Sequence, residues 1–419
     1  MNRRTQALAI GVTGLALTLA ACGGGTGAGD SESGGGDGGK VESIKLVAAE
    51  YSAETAGFWE DFAKTYQEKT GTKLEVQVVS WDDIDQQSST MIQNGNPPDI
   101  LNLNAYASYA QDNLLYSADE VLSPEVKSDL LPNFVESGTF EGKLYGMPDL
   151  SSARALFYNK ALFEQAGIDA PPTTWDEFAT DAKKIADATD SAGYAMPLGP
   201  EESQAEFSIW MFNNGGNWKT DGAWSINSPQ NVETLEFLKK LADDGVTQNN
   251  PGKTNRTDGA FADFAAGKAG MVVGFSPLAA QLDEAGKVEY GVAPMPSNTG
   301  EEPKSYGVTD YLMAFKKDGN AEAVKAFYDL YYQPDQVNTF IENEGFLPVT
   351  QSGVEKFSSN ADLKVYLDTL TGVQLTPTDD PKWDTTKLAV QQELGAAVGP
   401  DGDPKAILDD LQEQAESGS

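Results

Sequence analysis

Between residues 43 and 103 the chain switches between two periodicities, and that alternation limits its possible folds more than any other feature. Ile44 to Ala49 is a short apolar run, and in Lys73 to Val79 the apolar Leu74, Val76 and Val78 alternate with polar residues, as a half-buried strand requires. Between them Phe58, Phe62 and Tyr66 recur every fourth residue, the spacing that lines one face of a helix, and Gly71 stands where that helix should stop. Asp99 to Leu103, after Pro97 and Pro98, has the pattern of a third strand. Strand, helix, strand in this order predicts an α/β fold.

The second half of the chain repeats these signals without repeating sequence. Thr174 with Glu177 forms a capping-box pattern, Ser228 before Pro229 opens a helix carrying Val232, Leu235, Leu238 and Leu241, and Gly245 closes it. Asp403 with Pro404 opens the last helix; the neighbouring Asp401-Gly402-Asp403 lacks the spacing of a calcium loop, so a helix cap is the reading. Met271 to Val273, Val288 to Val292 and Leu312 to Phe315 are too short for helices and bounded by Gly or Pro, which predicts buried strands. Val324, Phe327 and Leu330, then Val337, Phe340 and Ile341, form apolar stripes of two helices. A folded part running from about residue 41 to 419 is too long for one ordinary core, so two lobes are expected.

The N-terminus has a different character. Asn2-Arg3-Arg4 supplies positive charge, Ala7 to Ala21 is apolar but shorter than a membrane span, and the run ends in Leu19-Ala20-Ala21-Cys22. This resembles a bacterial lipoprotein leader, which implies cleavage after residue 21 and a lipid on Cys22, the only cysteine. Residues 22–40 are almost entirely Gly, Ser, Thr, Asp and Glu and are expected to be a flexible tether. Loss of a leader with two of the 29 cations and none of the 64 acids would move the net charge from −35 to −37.

Such an acidic chain, with scattered rather than clustered Lys and Arg, is a poor match for nucleic acid. It contains no histidine, which removes the commonest general base and metal ligand, and lipidation of Cys22 would leave no free thiol. No catalytic residue, cofactor or metal is expected.

From Ala155 to Phe178 the sequence reads Ala-Leu-Phe-Tyr-Asn-Lys-Ala-Leu-Phe-Glu-Gln-Ala-Gly-Ile-Asp-Ala-Pro-Pro-Thr-Thr-Trp-Asp-Glu-Phe. It resembles the signature of family 1 bacterial extracellular solute-binding proteins, the group containing maltose-binding protein. Phe62 to Gly71, Phe261 through Met271 with Gly267-Lys268-Ala269-Gly270, Pro294-Met295-Pro296 and Glu344-Gly345-Phe346-Leu347-Pro348-Val349 extend the resemblance over most of the chain. The resemblance implies a two-lobe periplasmic-binding-protein-like fold of type II, with hinge strands, a ligand cleft between the lobes, and closure by hinge bending. It places crossings near Ser152, Tyr311 and Gly353, giving one lobe from residues 41–151 and 312–352 and the other from 152–311 and 353–419. It also implies a carbohydrate ligand, an ABC permease as partner, and the extracytoplasmic face of the cell membrane as location. The protein is expected to be a monomer.

A sugar presents apolar C–H faces and a rim of hydroxyls, so its receptor needs rings for stacking with carboxylates and amides for directional bonds. The expected ligand-binding residues follow from the cleft edges the resemblance implies. They are Tyr51 after the first strand, Asn104 and Tyr106 after the third, Asp149, Ser152 and Arg154 at the first crossing, and Trp210 and Asn213 before Gly215-Gly216. Phe275 stands where the family usually has Trp. Asp310 and Tyr311 stand where many relatives have glycines before an aromatic, and Phe346 and Trp383 complete the rings. Rings with acids also suit a cationic solute such as a polyamine or betaine. Paired carboxylates suit a glycosidase, though no pair stands at a recognisable motif. Tyr331-Tyr332, a faint suggestion of iron, continues an apolar helix and is expected to pack.

Overall fold

The computed structural model describes residues 41–417 apart from 82, 361, 362, 368, 369, 371 and 372. The expected leader, Cys22 and the tether at 22–40 lie outside the described residues. In chain order the elements that matter are β1 (Ser43–Ala49), α1 (Thr55–Thr70), β2 (Lys73–Val79), β3 (Ile100–Leu103), β4 (Met147–Ala153), β5 (Ala155–Asn159), α2 (Trp175–Ala188), β6 (Ala192–Ala195), α3 (Ser203–Phe212), α4 (Pro229–Asp243), β7 (Ala269–Gly274), β8 (Tyr290–Ala293), β9 (Gly307–Ala314), α5 (Ala321–Tyr331), α6 (Pro334–Glu344), α7 (Trp383–Glu393) and α8 (Pro404–Ser417). Among the described residues no helix is long and apolar enough to cross a membrane.

Two main sheets form. The first has the order β2-β1-β3-β9-β4, with β1 parallel to β2 and β3 and with β9 antiparallel to both β3 and β4. The second has the order β8-β5-β7-β6. Each sheet has its own core. Trp59, Phe62 and Tyr66 of α1 pack against Phe327 and Tyr331 of α5 and Phe340 of α6, with the Trp59 and Tyr331 rings stacked at 5.5 Å. On the second sheet Trp175, Phe178, Trp210, Leu235 and Leu238 share one cluster with Val390 and Leu408 from the C-terminal helices. The buried stripe on α1 runs Thr55, Trp59, Phe62, Tyr66, so Phe58 sits at its half-buried edge rather than at its centre. That is the three-and-four spacing of a helix, which a strict four-residue repeat drifts away from.

Several backbone details follow the sequence closely. Gly71 ends α1 with φ 72°, a left-handed position that side chains disfavour. At Gly193 a Cβ would meet the backbone oxygen of Ala182 at 2.1 Å, so only glycine lets α2 lie directly on β6. The Thr174 box closes differently from expectation. Thr174 Oγ1 accepts from the Glu177 N–H at 3.2 Å, but the Glu177 carboxylate reaches back to the N–H of Thr173 at 2.8 Å, one residue further out.

The chain passes between the sheets at three neighbouring points. Arg154 joins β4 to β5 and donates its N–H to the carbonyl of Tyr306 at 2.9 Å. Gly307 N–H bonds the carbonyl of Gln374 at 2.9 Å, and Gln374 N–H bonds that of Ser305 at 2.9 Å. The three segments therefore lie side by side as a short hydrogen-bonded ladder. The ladder lies at Arg154, close to the crossing expected near Ser152, and at Tyr306 and Gln374 rather than near Tyr311 and Gly353. Tyr311 is inside β9, and Gly353 belongs to a helix over Gln351–Phe357 whose last residue packs in the first core. Replacing the Thr174 cap by alanine is expected to destabilise the protein by about 1 kcal/mol. Urea unfolding should show this as a lower midpoint at unchanged slope.

Candidate functional site

Beside the crossing ladder the two lobes enclose a cavity of about 30 Å³. Asn104, Thr309 and Tyr311 line it from the first lobe, Gln204, Trp383 and Lys387 from the second, and Tyr306, Thr376 and Thr378 from the crossing segments. Lys387, on α7, donates across the gap to Asn104 Oδ1 at 3.1 Å, and the Tyr311 hydroxyl meets Thr378 Oγ1 at 3.1 Å. Of the residues expected from sequence, Asn104, Tyr311 and Trp383 meet here. The space as it stands is smaller than a sugar ring.

A second group lies along the edge of the first sheet. The half-buried Tyr51 donates its hydroxyl to Asp310 Oδ2 at 2.7 Å and to Asn102 Oδ1 at 3.1 Å, and Asn102 Nδ2 donates to Asp149 at 3.0 Å. Tyr331 closes the chain by donating to the other oxygen of Asp149. Burial pushes the Asp149 carboxyl up to about 8 and the Asp310 carboxyl up to about 7; the Tyr51 hydroxyl and the charge of Lys387 offset part of the effect at Asp310. Asp310 Oδ1 is sealed from solvent and has no hydrogen-bond partner among the described residues.

The third group forms around Arg154. Its guanidinium pairs with Glu202, which also holds Arg256, and Arg256 bonds Glu201 at 3.0 Å. Arg154 lies 4.1 Å over the ring of Phe275, with Arg256 at 5.1 Å from the same ring. The Phe275 ring is thus engaged by guanidinium groups, and it is only 7% exposed, which corrects the expectation that it offers an open stacking face. Phe346 bridges Phe275 at 6.1 Å and Tyr51 at 5.2 Å.

Four expected residues are placed elsewhere. Trp210 is fully buried in the second core, where its indole N–H donates to Glu206 at 2.8 Å, so its role is packing. Asn213 is buried too, bonded to the carbonyls of Ile209 and Lys304 and the N–H of Lys304, which ties a loop to the end of α3. Tyr106 packs edge-on against Tyr311 at 5.1 Å and donates to the Ser137 carbonyl, so it supports the cavity wall from behind. Ser152 sits within β4 opposite Val308 and does not line the cavity. Trp383 lines the cavity but also packs against Trp218 at 5.4 Å and is 2% exposed, so its truncation would disturb the core.

Other residues of the site were not anticipated. Trp81 meets Tyr51 at 5.7 Å and follows β2 as Tyr51 follows β1, so the same argument locates it. Lys387 lies one helical turn beyond Trp383, the spacing that shares a helix face. Gln204 and Glu202 had no distinctive signal.

Two lobes joined by three crossing segments around a cleft define the type II periplasmic-binding-protein fold. Solved structures agree. A cyclic alpha-maltosyl-1,6-maltose binding protein from Arthrobacter globiformis superposes with TM-score 0.74 at 22% identity, covering 91% of this chain and 99% of its own. Maltose-bound MalE3 of T. maritima gives TM-score 0.77 at 21% identity, covering 90% and 99%. A profile of bacterial extracellular solute-binding proteins matches residues 49–338, and the chain belongs to that family. Among relatives, a binding protein of Brucella abortus is 31% identical over 385 residues, 89% of this chain and 92% of that one. The diacetylchitobiose binding protein DasA of Streptomyces coelicolor is 27% identical over 312 residues, 72% and 71%.

The raised carboxyl of Asp310 yields a stability prediction. An unfolded Asp titrates near about 3.9, so between there and about 7 the folded protein retains a proton that the unfolded chain releases, and stability falls as pH rises through that window. Asp310→Asn removes this dependence while keeping an acceptor for Tyr51. Its advantage over the parent chain should be near zero at about pH 4, grow to on the order of 1 to 3 kcal/mol at about pH 8, and be measurable by urea unfolding at both values.

Proposed function

We propose that the chain is the lipid-anchored, extracytoplasmic receptor of an ABC importer, taking a sugar between its lobes and passing it to the membrane permease. The observation that carries this reading is the composition of the cavity wall. Both lobes contribute, and most of the polar groups are neutral: the amides of Asn104 and Gln204 and the hydroxyls of Thr309, Thr376 and Thr378, beside the rings of Tyr306, Tyr311 and Trp383. Neutral donors and acceptors beside aromatic faces suit a hydroxyl-rich, uncharged guest. The saccharides named for DasA and for the two solved neighbours support the same class.

A cationic solute fits less well, because Arg154 and Lys387 both lie at the site. A glycosidase would need a free carboxylate pair, whereas Glu202, the acid that lines the cavity, is held by two guanidinium groups. The mechanism is therefore capture: the guest bonds groups on both lobes, favours the closed arrangement, and leaves chemically unchanged.

Calorimetry with mono- and oligosaccharides, spermidine and glycine betaine tests the reading. One sugar should bind near micromolar, about −8 kcal/mol, with a smaller radius of gyration in X-ray scattering. Stabilisation by spermidine alone would overturn it. For the anchor, Cys22→Ser should abolish incorporation of labelled palmitate in the producing cell and release the chain from its membrane fraction; retained label would show Cys22 not to be the lipidated residue.

A further inference from the structure

Two kinds of contact join the lobes. Leu131, Phe134 and Leu347 of the first lobe share an apolar cluster with Phe157 and Phe275 of the second. Along α7 the contacts are polar instead. Lys387 Nζ donates to Asn104 Oδ1 at 3.1 Å and lies 3.9 Å from the Asp85 carboxylate, and Ser108 donates its hydroxyl to Asp384 Oδ2 at 3.3 Å. Asp85 and Ser108 belong to first-lobe helices over Ile84–Gln93 and Ala107–Gln111. Asp384 and Lys387 stand three residues apart on α7, the spacing that shares a helix face, while Trp383 and Val390 hold the same helix in the core of the second lobe.

Lys387 is 9% exposed, and among the described residues its hydrogen bond and its ion pair both go to the first lobe. Its ammonium is held by a surface that its own lobe does not supply. Parting an apolar contact exposes hydrocarbon to water, whereas parting these polar contacts exchanges each for hydrogen bonds to water, which costs far less. The α7 edge is therefore the one along which the lobes separate most readily. The Asp85 limb contributes least, because that side chain is 59% exposed and the pair is long.

We propose that the Asp384–Lys387 face of α7 is a clasp that holds the cleft shut in the ligand-free chain. Opening releases Lys387 from Asn104 and Asp384 from Ser108, so the clasp sets how many empty molecules stand ready to admit a guest. The inference needs the two lobes and their cleft but not the identity of the guest, so it stands or falls separately from the sugar reading.

Spin labels on either side of the contact test it in the purified chain without added solute. Gln111→Cys and Leu388→Cys, both at exposed positions, carry the labels in a Cys22→Ser background, and the distance distribution gives the ratio of parted to closed molecules. The closed distance should dominate in the parent chain. Lys387→Met, which keeps the apolar stem and removes the charge, should raise the parted-to-closed ratio by about tenfold or more, as expected for loss of a hydrogen bond from a charged group, and should enlarge the radius of gyration in X-ray scattering. Asp85→Asn should raise the ratio by less than about fivefold. Lys405→Met, which removes an exposed cation paired with Asp409 on α8, should leave it unchanged. A parent chain that is mostly parted, an unchanged ratio in Lys387→Met, or an equal rise in Lys405→Met would overturn the clasp. A lower melting temperature in Lys387→Met with the closed distance retained would assign Lys387 to the packing of α7 alone, which also rules the clasp out.

Discussion

The ladder at Arg154, Tyr306 and Gln374 is the constraint on which the rest depends. Backbone hydrogen bonds at 2.9 Å hold three segments side by side where the chain moves between its sheets. In two-lobe proteins a few residues of this kind are where a change in φ and ψ is absorbed. The ladder also delivers side chains: Arg154 and Tyr306 leave it directly for the site, and Thr309 and Tyr311 follow within five residues on β9. Crossing ladder and cavity wall are therefore built from the same short segments.

Around that ladder the protein keeps polar groups that a purely structural core would avoid. Asp149, Asp310 and Glu206 are buried carboxyls, and burial pushes each of them toward or above neutrality. They differ in purpose. Glu206 accepts from Tyr194 and Trp210, which satisfies it inside the second lobe, whereas one oxygen of Asp310 has no partner among the described residues.

How much of this was legible in the sequence depended on which surface a residue faces. The helices and strands of both cores were visible because apolar spacing reports directly on burial, and the signature at 155–178 specified the fold beyond what periodicity can. The crossing at Tyr306 was missed because β9 begins with Gly307, Val308, Thr309 and Asp310, a stretch whose polar side chains interrupt the apolar run that marks a buried strand. The crossing at Gln374 carried no pattern at all, since an extended segment that pairs for only one residue has no periodicity. Trp210 illustrates the opposite error: an aromatic near paired glycines suggested a ligand, but Glu206 one turn earlier, aligned with its indole N–H, was the signal for a satisfied core tryptophan.

The threading of β9 also bears on how the molecule can be made. The first sheet places residues 307–314 between β3 and β4, which the ribosome has produced much earlier. Until that strand arrives, β3 and β4 have no common neighbour, and the contacts that complete the sheet span long stretches of sequence, a topology that folds slowly. Completion of the first sheet therefore waits on residues made late in synthesis, while β1, β2 and β3 can already pair with one another.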